Sequence, residues 1–205
     1  MVIDNIIFDW SGTLSDDFKQ VYQASMLVFK NLDREKITEE EYRREFILPY
    51  MKFWNKYFPE LTKSECDKLY GEAINQVDEP KLYLKVKDEI EKFHSRSINM
   101  IVISSHPHEK LIKEANNYDI KNFFKEINGS IHDKTEKILE IIKRNNFDYR
   151  KTMYVGDMTH DIEAGRKAGV ITVGICWGYQ PKEVLMGSNP NYSIENISDL
   201  EELLK

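Results

Sequence analysis

The sequence is poor in cysteine, has no long hydrophobic run and carries no excess of positive charge. Its two cysteines, Cys66 and Cys176, lie far apart and show no metal-type Cys/His spacing. That excludes a disulfide framework or a zinc module as the basis of the fold and points to a reducing, cytoplasmic setting. Each cysteine is expected as a half-buried small apolar side chain. No stretch approaches the ~18 apolar residues of a transmembrane helix. The opening residues Met1-Val2-Ile3-Asp4-Asn5 lack the basic start and apolar body of a secretion signal. A formal net charge of -6 argues against nucleic acid or an anionic membrane as the main partner. Internal repeats and low-complexity tracts are also missing.

What remains is a globular composition. A chain of 205 residues, 41% hydrophobic and 31% charged, suffices for one solid core or two small domains. Continuous apolar runs at Ile3–Phe8, Met100–Ser104, Thr152–Val155 and Val170–Ile175 read as strands covered on both faces, as in a parallel sheet. Weaker strands fall at Glu126–Asn128 and Tyr192–Ile194. Helical patterns at Pro107–Tyr118, Lys134–Asn145, Asp161–Ala168 and Ile197–Leu204 follow most strands. The alternation predicts a doubly wound α/β core with right-handed crossovers.

Residues 16–81 break the alternation and predict an inserted all-helical unit, which leaves 1–15 and 82–205 for the core. Phe18, Val21, Tyr22, Ser25, Met26 and Phe29 form one helical stripe. Glu39–Tyr57 is rich in aromatics, with Pro49 expected to start or kink a helix inside it. Thr62-Lys63-Ser64-Glu65 has the form of a capping box opening a third helix to Asn75. The aromatics read as the core of the insert rather than as a ligand wall.

Chemistry-bearing residues collect where strands end. Asp9-Trp10-Ser11-Gly12-Thr13 follows the apolar run Ile6-Ile7-Phe8, so the Asp9 carboxylate is presented to a crevice, and Gly12 permits a tight turn behind it. A carboxylate there can attack phosphorus, or can simply cap a turn. Ser104 and Ser105 end a second strand, where a hydroxyl and backbone N–H groups can hold a phosphate oxygen. Lys134 stands at a helix start. Asp157 and Asp161 occupy one loop after Met153-Tyr154-Val155 and suit Mg²⁺, a hard cation that prefers oxygen ligands. Asp161 also fits a helix start, and helix capping is the reading for Asp16. His106-Pro107-His108 reads as a helix start, or as a substrate contact able to move protons.

In order along the chain, Asp9, Ser104, Lys134 and Asp157 with Asp161 match the four signature motifs of the haloacid dehalogenase superfamily. The insert after Leu14 is similar in position and length to that family's helical cap, and Tyr154 through Val170, with Gly174 through Tyr179, resembles the phosphoglycolate phosphatase branch. The resemblance implies a Rossmann-like core and a Mg²⁺-dependent phosphatase acting on a small phosphorylated metabolite. It makes Asp9 the nucleophile and Lys134 its charge partner, with Thr13, Ser104 and Ser105 at the substrate. Asp9, the Ser11 carbonyl, Asp157 and Asp161 would hold the metal. The phosphatase motif reads Asp-x-Asp-Gly-Thr, and its second Asp, the proton donor and acceptor, is Ser11 here. Two alternatives therefore stand beside the phosphatase. One is a phosphonoacetaldehyde hydrolase-like enzyme, suggested by Trp10 and served by Lys52 or Lys56 as a Schiff-base lysine. The other is an impaired relative that binds a phosphometabolite or a protein partner.

Overall fold

The computed structural model describes residues 3–204. Among them, one compact unit comprises the residues up to Asp16 and from Lys81 onward, and a second comprises Asp17–Pro80.

The first unit is built on strands β1 (Asn5–Phe8), β2 (Ser15–Asp16), β3 (Lys81–Leu82), β4 (Asn99–Ile103), β5 (Glu126–Asn128), β6 (Thr152–Gly156), β7 (Ile171–Ile175) and β8 (Tyr192–Ile194). Six of them form a sheet in the order β5-β4-β1-β6-β7-β8. Every pairing in it is parallel, and β1 sits between β4 and β6, with Phe8 opposite Val102 on one side and Val155 on the other. The chain runs outward from β1 to β5 on one side and then from β6 to β8 on the other. The carboxyl end of β1 is thus the switch point where open α/β sheets hold their ligands.

Side chains alternate across the sheet. Ile6, Phe8, Val102 and Val155 pack with Val86, Ile90 and Phe93 of α5 (Val86–Ser95) and Leu111 and Ala115 of α6 (His108–Asn117). Ile7, Ile101, Ile103 and Tyr154 pack on the opposite face with Ile138, Ile141 and Ile142 of α7 (Lys134–Asn145) and Ala164 and Ala168 of α8 (Thr159–Ala168). Helices cover both faces, which is the doubly wound arrangement.

Several boundaries differ from expectation. Ile3 and Asp4 precede β1, and Ser104 falls just beyond β4. Helix α5 and the short α9 (Lys182–Gly187) were not foreseen, and the last helix opens as a 3-10 turn (Ile197–Asp199) before α10 (Leu200–Leu203). Asp16 does not cap a helix. It lies in β2, opposite Lys81 of β3 in a two-residue antiparallel ladder, and Asp17 takes the position before the next helix without a side-chain cap bond.

The second unit holds α1 (Phe18–Asn31), α2 (Glu39–Glu45), α3 (Met51–Tyr57) and α4 (Lys63–Ile74). Pro49 splits the long aromatic stretch, and α3 begins two residues after it. The Thr62/Glu65 capping box forms as expected, and an unforeseen second one, Thr38/Glu41, opens α2. Phe29 lies 5.0 Å from the Tyr57 ring and 4.9 Å from that of Phe58, and Tyr42 lies 4.9 Å from Phe53. The aromatics are the unit's own core. None of the described helices is long and apolar enough to cross a membrane.

Candidate active site

The carboxyl edge of the sheet brings four of the singled-out residues into one buried cluster. Asp9 follows β1, and its N–H donates to the Val155 carbonyl at 2.9 Å, which fixes the turn against β6. Lys134 is the first residue of α7, whose start is capped by Asp133. The Lys134 ammonium donates to Asp9 Oδ1 at 2.7 Å and to Asp161 Oδ1 at 2.6 Å. Asp161 lies in the first turn of α8 and also accepts from the Tyr154 hydroxyl at 2.7 Å and, through Oδ2, from the Met158 N–H at 3.1 Å. It therefore performs the helix-start role as well as joining the cluster.

Asp157 is held differently. Its Oδ2 accepts from the Tyr179 N–H at 2.6 Å, whereas its Oδ1 is buried without a hydrogen-bond partner. The carboxylate is wedged between two glycines. A Cβ on Gly12 would stand 2.3 Å from Asp157 Oδ2, and one on Gly178 would stand 2.2 Å from the Asp157 Cβ. Gly12 also adopts a φ of 74°, open to few other residues. The turn it belongs to folds back by N–H bonds from Thr13, Leu14 and Ser15 to the Trp10 carbonyl.

Carboxylate oxygens of Asp9, Asp157 and Asp161 all lie within 4.8 Å of one another. Burial drives the Asp9 carboxyl up to about 6, against the pull of Lys134. Burial, then the charges of Asp9 and Asp161, push Asp157 well above the carboxylate range. For Asp161 burial acts upward too, but Lys134 and His160 outweigh it and hold the group low. Burial would lower Lys134, yet Asp161 and Asp9 raise it. Three buried carboxylates face one ammonium. Fully ionised, they leave two negative charges uncompensated, a cost that a divalent cation removes. The all-oxygen donor set and the orphaned Asp157 oxygen fit a hard cation such as Mg²⁺.

The other expected residues border the cluster. Thr13 is fully buried, with its hydroxyl unpartnered. Ser11 is half-buried in the turn. Ser104 is buried beyond β4, its Oγ accepting from the His106 N–H at 3.2 Å, while Ser105 is exposed. Two participants, Tyr154 and Tyr179, and one bordering carboxylate, Glu114, escaped sequence reasoning. Tyr154 looked like one more apolar strand residue, although a buried tyrosine hydroxyl needs a partner. Tyr179 acts through its backbone, which no side-chain pattern reveals. Glu114 occupies the buried face of α6, where a carboxylate breaks the apolar pattern and gives the one readable signal.

A parallel sheet with this carboxylate and lysine cluster at its switch point defines a haloacid dehalogenase-like hydrolase. The model of that family matches residues 6–175, and the chain belongs to it. Among its relatives, the phosphoglycolate phosphatase of Synechococcus elongatus is 25% identical over 205 residues, covering 95% of this chain and 94% of the other. The pyrophosphatase PpaX of Listeria monocytogenes is 22% identical over 214 residues, covering 99% and 97%. A haloacid dehalogenase-like hydrolase structure from Streptococcus pneumoniae shares the fold with a TM-score of 0.86, at 22% identity over 99% of both chains.

Proposed function

We propose that the chain is a Mg²⁺-dependent phosphatase that cleaves small phosphorylated metabolites through an aspartyl-phosphate at Asp9. The observation that carries this reading is the buried Asp9, Asp157 and Asp161 cluster, with a single ammonium to balance it and one carboxylate oxygen left unpartnered.

An Asp9 oxygen attacks phosphorus while the bond from phosphorus to the leaving oxygen breaks. Water then attacks the same phosphorus, releasing phosphate and restoring the carboxylate. Lys134 keeps Asp9 aimed and balances its charge. Ser104 and Thr13 bind phosphoryl oxygens, with the Ser105 N–H beside them. Asp9, Asp157, the Ser11 carbonyl and Asp161 would hold Mg²⁺, which would neutralise charge so that a carboxylate can approach a phosphate dianion. The relatives named for phosphoglycolate and pyrophosphate support a small anionic substrate. The helical insert, taken as a cap over 16–81, would select among such substrates.

The phosphonate alternative finds no support in its lysines. Lys52 and Lys56 are exposed, and Lys56 is paired with Glu45 at 2.7 Å. A Schiff-base lysine works better desolvated.

The test is hydrolysis of p-nitrophenyl phosphate with and without Mg²⁺, beside Asp9→Asn. Metal-dependent turnover that vanishes in the variant is expected. A folded wild-type protein that binds Mg²⁺ and cleaves nothing would replace the enzyme with a phosphate-binding protein.

A further inference from the structure

Helix α6 carries a buried carboxylate that none of the chemistry above uses. Glu114 is 7% exposed and lies beside Leu111 and Ala115 on the face of α6 turned to the sheet. A leucine would satisfy packing there at no desolvation cost. Instead, each Glu114 oxygen holds a different loop. Oε2 accepts from the Trp10 indole N–H at 2.8 Å, and Oε1 lies 3.1 Å from His106 Nε2.

The two loops leave the sheet from adjacent strands, since β1 and β4 pair in parallel with Phe8 opposite Val102. Trp10 is the residue after Asp9. It is fully buried, and its ring stacks on Tyr118, one helical turn beyond Glu114, at 5.9 Å and 16° between planes. The Tyr118 hydroxyl in turn lies 3.3 Å from Ser15 Oγ, so the α6 region grips the nucleophile turn at both ends. On the other loop, the His106 N–H occupies a lone pair of Ser104 Oγ, and the His106 carbonyl accepts from the Ser130 N–H at 2.7 Å. A serine hydroxyl accepting one bond keeps its own proton to donate. Fixing His106 therefore fixes the rotamer in which Ser104 can donate to a phosphoryl oxygen.

From this geometry we infer that Glu114 is a positioning residue for phosphoryl transfer, setting Asp9 through Trp10 and Ser104 through His106 so that both address one phosphoryl group. The inference rests on the phosphatase reading. Small displacements of reacting groups are costly in rate even when binding survives, because near-attack geometry is lost. A carboxylate bonded to both loops specifies their mutual register, where an apolar side chain would only fill space.

The experiment uses the full-length protein with Mg²⁺ and three readouts. These are kcat and KM for p-nitrophenyl phosphate, inorganic phosphate affinity by calorimetry, and the midpoint of thermal unfolding. Glu114→Leu is expected to lower kcat by ~10-fold or more with KM within ~2-fold, and Glu114→Gln, which keeps an acceptor for Trp10, to recover most of the loss. Trp10→Phe and His106→Ala are each expected to lower kcat, and their double variant to lose less than the product of the two, because both act through Glu114. This cycle decides the matter if Glu114→Leu does not fold. Unchanged kcat in folded Glu114→Leu, or multiplicative losses in the cycle, would overturn the positioning role and leave the phosphatase reading intact. A folded wild-type protein that neither binds phosphate nor turns over substrate would overturn both.

Discussion

Lys134 and Asp161 meet at 2.6 Å inside the protein, although they begin different helices. The same ammonium reaches Asp9 at 2.7 Å, so one side chain joins the strand end that carries the proposed nucleophile to the loop that carries two acids. All three groups are almost wholly buried. Removing the ammonium strands both carboxylates. Lys134→Met is expected to destabilise the metal-free protein by ~3–5 kcal/mol and to abolish turnover. Chemical denaturation beside the phosphatase assay checks both effects, and a stable, inactive Lys134→Met would confine its role to chemistry.

The stability of the metal-free protein should depend on pH with an unusual sign. Asp9 titrates at about 6 in the fold, above its ordinary value of 3.8, because burial disfavours its charge. Such a group contributes stability below the unfolded value, and that contribution fades as pH rises through the folded one. Asp157, raised by burial and by the charges of Asp9 and Asp161, acts in the same direction, while Asp161 is held low and contributes evenly above the ordinary carboxylate range. Unfolding midpoints without metal should fall between about pH 4 and pH 7. Mg²⁺ should reverse the fall, by ~2.7 kcal/mol at a hundredfold excess over its Kd. Asp157→Asn should lose this Mg²⁺ response, and a midpoint indifferent to Mg²⁺ in wild type would count against the metal site.

Gly178→Ala tests the cradle around Asp157. The added carbon would overlap the aspartate's own Cβ at 2.2 Å, so the loop or the acid must move. Affinity for Mg²⁺ is expected to fall at least ~10-fold, about 1.4 kcal/mol, with the wild-type fold retained by circular dichroism. An unchanged affinity would mean that Asp157 is not a ligand.

Ser11→Asp restores the acid of the phosphatase motif. If only the proton donor is missing, turnover of alkyl phosphates should rise ~10-fold or more, with a smaller gain for aryl phosphates, whose leaving groups need little help. A folded variant with no gain on alkyl phosphates would show that the site serves other chemistry.

Much of this was legible because buried parallel strands are continuous apolar runs, and the residues closing them stand out. Asp9, Ser104 and Asp157 each end such a run. Lys134 was readable only jointly with them, since a lone lysine at a helix start is usually solvated. The ladder of Ser15 and Asp16 with Lys81 and Leu82 is too short to leave a periodic trace, and an acid before a helix invited the capping assignment that Asp16 does not fulfil. Glu114 shows in the sequence only as a break in an apolar helix face, its Trp10 partner lying far along the chain, while Tyr154 passes for one more apolar strand residue and the Tyr179 N–H belongs to the backbone, which side-chain patterns do not encode.

That two-residue ladder has an evolutionary consequence. The chain leaves the sheet-bearing unit after Asp16 and returns at Lys81, and those two residues face each other across paired backbones. The ends of the insertion are stapled at its base, so the entropy of closing so long an excursion is met locally. The stretch between can lengthen, shrink or be exchanged for another fold without shifting the register of a single strand in the six-stranded sheet. Natural selection can thus rewrite residues 17–80 while the acids and the lysine of the sheet-bearing unit keep their places, which makes the ladder a socket into which different modules can be fitted.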